Sequence, residues 1–238
     1  MTFDRAENIR RLGDDAFDVL VVGGGITGAG VALDAASRGL RTALVDKGDL
    51  ASGTSSKSSK LVHGGIRYLQ QKEIGLVYEA LAERQILRET APHLVRVLPF
   101  LLPVFTKDGL LPRRIARLLG ATMWAYDLTG GLRIGRLHKR ISKEEALRYM
   151  PTLPADNIAA SYIYYDAQAD DARLTLTVAK TAATLGAAVV NYATLVGLAK
   201  DSAGNVSGAR VSVDSLQRSP AGKADYKVLR NIAEEAIS

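Results

Sequence analysis

Gly23, Gly25 and Gly28 fall on the spacing G-x-G-x-x-G, and an acid, Asp46, follows Gly28 by 18 residues. Residues of these types at this spacing suit one task, the binding of a pyrophosphate and its neighbouring ribose. The first glycine permits a tight turn, the second lets backbone approach a phosphate, and the third lets helix and strand pack closely. An acid about 20 residues further on accepts a hydrogen bond from a ribose hydroxyl and disfavours a 2′-phosphate. The elements that must place these residues can be read around them. Asp18 leads into Val19, Leu20, Val21 and Val22, a short apolar run expected of a strand buried on both faces of a parallel sheet. A helix should follow the glycine turn, with Ala32 extending its close-packed side and Gly39 ending it, and Leu40 to Val45 should form a second strand that delivers Asp46. The unsatisfied N–H groups and positive dipole end of that helix would face the phosphates, so no basic side chain is required there.

A second block, KGDLASGTSSKSSKLVHGGIRYLQQ, is rich in hydroxyls. It lies between the second strand and an amphipathic segment, Leu61 to Leu87, which places its hydroxyls at a helix N-terminus where caps and anion contacts belong. Gly64-Gly65 offers backbone that a flat ring could approach. The alternative is a flexible Ser-rich linker with Lys57 and Lys60 simply solvated.

With 238 residues, 47% of them apolar and 24% charged, the chain has the composition of one or two globular domains. There is no cysteine, which excludes disulfides, thiolate metal sites and a cysteinyl cofactor link, and His63, His93 and His138 are too scattered for a metal set. The N-terminal stretch lacks the apolar core of a signal peptide and reads as a leader or short amphipathic helix, so a cytoplasmic protein is expected. Residues 91–140 hold nine Lys and Arg against Asp108 and Asp127, and so carry the whole of the net +6 charge. In HLVRVLPFLLPVF and LLPRRIARLLG, leucines and arginines share helical turns, a pattern that suits either an anionic membrane surface or a packed helix with a solvated basic edge. Arg96, Pro99 and Pro103 interrupt the only candidate for a spanning helix. Nucleic acid is not expected, because no aromatics are interleaved with the basic residues.

The blocks GGGITGAG, DLASGTSSKSSKLVHGGIRYL, EALAERQILRETAPHLV and YYDAQADDARLT together resemble the FAD-dependent glycerol-3-phosphate dehydrogenases, quinone-linked respiratory flavoenzymes. The resemblance covers roughly residues 16–213. It implies an α/β fold with a glutathione-reductase-like, Rossmann-type FAD-binding domain, an inserted β-meander, FAD as cofactor, and oxidation of sn-glycerol 3-phosphate to dihydroxyacetone phosphate with electrons passed to quinone. By position, Gly23, Gly25, Gly28 and Asp46 would hold the ADP moiety. Thr54, Ser55, Ser58, Lys60, Leu61 and His63 would line the pyrophosphate and flavin side. Arg67 and Tyr68 match positions facing the substrate, and an arginine is a strong bidentate partner for a phosphate dianion. Other readings stay open: Arg67 as a surface ion-pair partner, Tyr68 as a core aromatic, His63 as a flavin contact, a structural histidine or, last, a general base. Asp170, Asp171 and Arg173 read better as the start of a helix than as a catalytic cluster. No residue can be assigned as the base.

The expected organisation is a leader over 1–15, an FAD-binding domain over 16–213 that includes a helical, basic insertion over 91–150, and a divergent tail over 214–238, helical from Lys227. LVGLAKDSAGNVSGARVSV should form two strands joined by a turn at Asp201 to Asn205. Beyond it the family's returning strand is not found, so the domain is expected to be incomplete relative to the family. Peripheral contact with the inner face of the cell membrane and a homodimer are compatible with the resemblance. Two rivals remain: a related FAD oxidase that uses oxygen, and a truncated, non-catalytic flavin-binding module.

Overall fold

The computed structural model describes residues 4–64, 73–105, 123, 124, 127 and 135–214. The chain divides into two units, Met1–Lys57 with Asp171–Ser238, and Ser58–Asp170.

The first unit is built on a parallel sheet. Its strands β1 (Val19–Val22) and β2 (Thr42–Val45) are joined through the helix α2 (Ile26–Ser37), and β2 also pairs with the strand Ala188–Val190. Register runs Val19↔Thr42 to Val22↔Val45, then Ala43↔Ala188 to Val45↔Val190. The four residues of β2 are all buried, as a central parallel strand requires. On one sheet face Ala29, Ala32 and Ala36 of α2 meet Ala179 and Ala182 of the helix Asp171–Thr184. Small side chains on both helices let them approach closely. On the other face Val45, Val190 and Ala193 pack against Ile9, Leu12, Leu20, Val211 and Val213. Two of these come from the N-terminal helix α1 (Arg5–Asp14), capped by the Asp4 side chain, which accepts from the amides of Ala6 and Glu7. The expected leader is therefore a packed helix from Arg5 onward. Asn8 is buried with its side chain donating to the Val189 carbonyl, and the Arg5 guanidinium donates to the Asn191 and Asp214 carbonyls. The paired strands Ala193–Lys200 and Val206–Val213 supply the rest of that face; their turn is closed by Asp201 and Asn205 with Gly204 at φ +86°.

The second unit is an antiparallel sheet. In chain order it comprises β3 (Leu61–Val62), α3 (Ile74–Thr90), β4 (Val95–Phe105), β5 (Lys139–Ile141), α4 (Lys143–Tyr149) and β6 (Ile158–Ala169). The long β6 pairs with β3, β4 and β5. The helical reading of HLVRVLPFLLPVF is corrected: from Val95 to Phe105 it is a strand, in register with β6 from Val95↔Ala169 to Phe105↔Ile158. Pro99 and Pro103 explain why, since each would remove a bond from a helix interior and clash with the preceding turn. Among the described residues, the segment 91–150 is helical at Met123, Trp124 and Asp127 and over Lys143–Tyr149. LLPRRIARLLG lies outside them. Val77 and Leu81 of α3 pack against Tyr164 of β6, and Ile141, Ala146 and Ile163 form a separate cluster with Leu101, Leu153 and Tyr165. No helix of the described residues is long and apolar enough to cross a membrane.

Candidate functional site

The glycine turn in the first unit is shaped by contacts no larger residue could make. Gly23 has φ +111°, a conformation that L side chains rarely adopt, and its amide donates to the Val45 carbonyl at 2.8 Å, tying the turn to the end of β2. A Cβ on Gly28 would run into the Gly23 carbonyl oxygen, and one on Gly24 into Leu50 and Asp46. Gly25 is the N-cap residue of α2 and offers no side-chain cap, so the first amides of a 12-residue helix open onto this turn.

Asp46 and Ser55 are the side chains that converge there. Asp46, half-buried at the end of β2, accepts from the Gly24 amide at 2.5 Å through Oδ2 and from the Gly48 amide at 2.7 Å through Oδ1. A carboxylate has about four acceptor positions, so this anchoring orients the group and leaves capacity for ribose hydroxyls. The Ser55 Oγ lies 3.3 Å from where a Cβ on Gly25 would be and accepts from the Ile26 amide at 2.8 Å. An anion bound at this helix end would meet the same amide. One hydroxyl of the block, that of Ser55, thus serves the helix that precedes it in the chain. These residues fit the ADP part of FAD: glycine backbone and helix amides for the pyrophosphate, Asp46 for the ribose.

The other expected residues are distributed as follows. Thr54 opens a single 3₁₀ turn, Thr54–Ser56, and is exposed. Ser58, Lys60, Leu61 and His63 belong to the second unit. The Ser58 hydroxyl accepts from the Lys60 amide at 3.0 Å, and Lys60 sits at φ +61° with its carbonyl accepting from Ala169 and its ammonium 3.9 Å from Asp170. Leu61 begins β3 and His63 is exposed just beyond it. Arg67 and Tyr68 lie outside the described residues. Asp171 starts a helix, as expected, with its carboxylate accepting from the Ala172 amide at 3.0 Å.

Several interactions within the two units escaped sequence reasoning. Gly48 was legible in principle, since an Asp two residues before a glycine signals a side-chain-capped turn. Asn191 donates to Asp49 at 2.8 Å and so fastens the loop after Asp46 to the end of the third parallel strand. In the second unit Arg84 and Asp166 form a buried ion pair at 2.6 Å, and the His138 ring stands 2.6 Å from Asp127, edge-on to Trp124. Nothing in the local sequence marked these pairs. Among the described residues no group of three or more His, Cys, Asp or Glu could hold a metal ion.

Comparison with known proteins agrees with this geometry. A glycerol-3-phosphate dehydrogenase of Mycobacterium leprae is 50% identical over 186 residues, which are 78% of this chain and 31% of that protein. The mitochondrial glycerol-3-phosphate dehydrogenase of Homo sapiens is 45% identical over 203 residues, covering 82% and 27%. The crystal structure of the Bacillus halodurans glycerol-3-phosphate dehydrogenase complexed with FAD superposes with a TM-score of 0.64 at 33% identity, over 89% of this chain and 34% of that one. This chain therefore spans about a third of the length of the relatives it matches. The family profile described as FAD dependent oxidoreductase matches residues 18–229, from the first strand through the glycine turn and well past the β-hairpin. The glycine turn that only glycines can make, followed by an acid held at the end of β2, is thus one part of a match over most of the sequence, and the chain belongs to the FAD-dependent oxidoreductases.

Proposed function

We propose that the chain is the cofactor-holding part of an enzyme that oxidises sn-glycerol 3-phosphate to dihydroxyacetone phosphate and delivers the electrons to quinone. The observation that carries the reading is the 45–50% identity to glycerol-3-phosphate dehydrogenases over about four-fifths of the chain, together with a first unit whose turn, helix and acid suit FAD. Bound FAD would supply the acceptor for the two electrons and the hydrogen leaving C2. The chain's own contribution is placement. Gly23, Gly25, Ser55 and the amides at the start of α2 would hold the pyrophosphate, and Asp46 the ribose. Ser58, Lys60, Leu61 and His63 would face the flavin side. Arg67 would clamp the substrate phosphate while Tyr68 holds a glycerol oxygen, so that the C2–H bond is aimed and the hydroxyl is free to give up its proton.

The basic excess of residues 91–140 is compatible with peripheral contact with an anionic membrane as well as with a packed, solvated basic edge; salt-sensitive co-sedimentation with anionic vesicles would support the former. Oxygen as acceptor is the second reading, separated from quinone by steady-state assay with each. The primary test is the visible spectrum of the purified chain after gel filtration. A flavin band bleached by anaerobic glycerol 3-phosphate supports the reading. A yellow protein that glycerol 3-phosphate leaves oxidised restricts it to flavin binding, and a colourless, folded protein removes it.

A further inference from the structure

Arg84 and Asp166 lie in the second unit, far apart in sequence, with side chains 0% and 4% exposed. An Nη1 of Arg84 donates to Asp166 Oδ1 at 2.6 Å, and the same oxygen accepts from the Ala167 amide at 3.2 Å. Ala167 is the register partner of Val62 in β3, and Gln168 that of Leu61. The pair therefore fastens α3 to β6 beside the short strand that leads into His63 and Gly64. One turn of helix before Arg84, Leu81 is fully buried and packs so tightly on Gly64 that a Cβ there would overlap its Cδ2 and Cγ. Val77, a turn earlier again, joins Leu81 against Tyr164.

A buried ion pair is a poor way to gain stability alone, since desolvating two charges offsets most of their attraction and apolar replacement is often neutral or favourable. What it supplies is directional: a planar guanidinium meeting a carboxylate fixes the height and rotation of a helix in a way that Leu against Leu does not. Here the helix so fixed is the one that seats Gly64.

We propose that the Arg84–Asp166 pair is a positioning device for the flavin ring, holding α3 against β6 so that Leu81 sets the backbone at His63 and Gly64. The proposal rests on the reading that these two residues face the flavin. Neither residue touches the ring; both act through Leu81 and Gly64.

The test is the double variant Arg84→Met with Asp166→Leu, which removes both charges together and leaves neither one buried alone. It should fold with a thermal midpoint near that of the parent, yet bind FAD roughly tenfold more weakly, with a visible band that loses its resolved shoulders. Amide exchange over Leu61–Gly64 should be faster by a similar factor. A double variant with parental FAD affinity, spectrum and exchange overturns the proposal. Should the double variant not fold, Arg84→Lys, which keeps the charge and loses the planar fork, is expected to shift the same three readouts in the same direction, and no shift overturns it. If the parent itself binds no FAD, the functional reading fails, and exchange over Leu61–Gly64 in parent and variant alone decides the positioning role.

Discussion

The Ser55 hydroxyl accepts a hydrogen bond from the Ile26 amide at 2.8 Å, so a side chain from the hydroxyl-rich block caps a helix that begins 29 residues earlier. That contact ties the second motif of the sequence to the first, within the unit that carries the glycine turn. It also places a neutral oxygen where an anionic one would gain more from the helix dipole.

Ser55→Ala should lower the stability of the first unit by about 1 kcal/mol through loss of a cap, and should weaken FAD binding. Thermal unfolding with and without FAD reads both effects. A variant that keeps parental FAD affinity would remove Ser55 from the cofactor site and leave it only a capping role.

Gly28→Ala introduces a methyl group into the Gly23 carbonyl, backbone against backbone, where no side-chain rotation gives relief. The expected cost is about 1–3 kcal/mol, with loss of retained flavin. Gly30→Ala, on the same helix with no neighbour within 4 Å of the new Cβ, is the control and should keep both stability and flavin.

Asp46→Ala leaves the Gly24 and Gly48 amides without their carboxylate partner. Gly24 is buried, so this variant should lose about 1–3 kcal/mol even without cofactor. Asp46→Asn keeps an acceptor for one amide and should be less damaging to the fold while still weakening FAD. Parallel denaturation and fluorescence-quenching titrations separate the two effects; equal FAD affinity in all three proteins would contradict a ribose contact.

Asp18 and Arg41 clamp the starts of β1 and β2. Hydrogen bonds from the Arg41 side chain, then from its backbone amide, lower the Asp18 carboxyl from 3.8 to about 2. Because the folded value is the lower one, the stabilisation is complete above the unfolded pKa near 3.8 and is lost as pH falls toward 2. Urea denaturation of the parent and Asp18→Asn at a series of pH values should show a gap that is constant above about pH 5 and closes below pH 4. A gap independent of pH would mean that the pair contributes only shape.

Much of the first unit was legible because its determinants are local. The Val19–Val22 run, the G-x-G-x-x-G spacing, Gly39 at φ +79° after α2 and the Asp201–Asn205 turn each follow from steric rules acting over a few residues. Strand ends were less well set. Leu40 and Arg41, expected within the second strand, precede β2.

By itself the sequence determined the chemistry at the glycine turn, since a backbone that passes this close to a helix, or takes φ +111°, admits glycine and little else. It did not determine what β4 or Arg84 would become. Pro99 and Pro103 count against a helix over the apolar run Val95–Phe105, but no period in it marks a strand, and eleven paired residues of β6 from a distant part of the chain make it one. An arginine within a helical pattern reads as solvated until a carboxylate 82 residues away enters the core beside it. Burial and pairing are properties of segments brought together from afar, so only the tertiary structure could decide them.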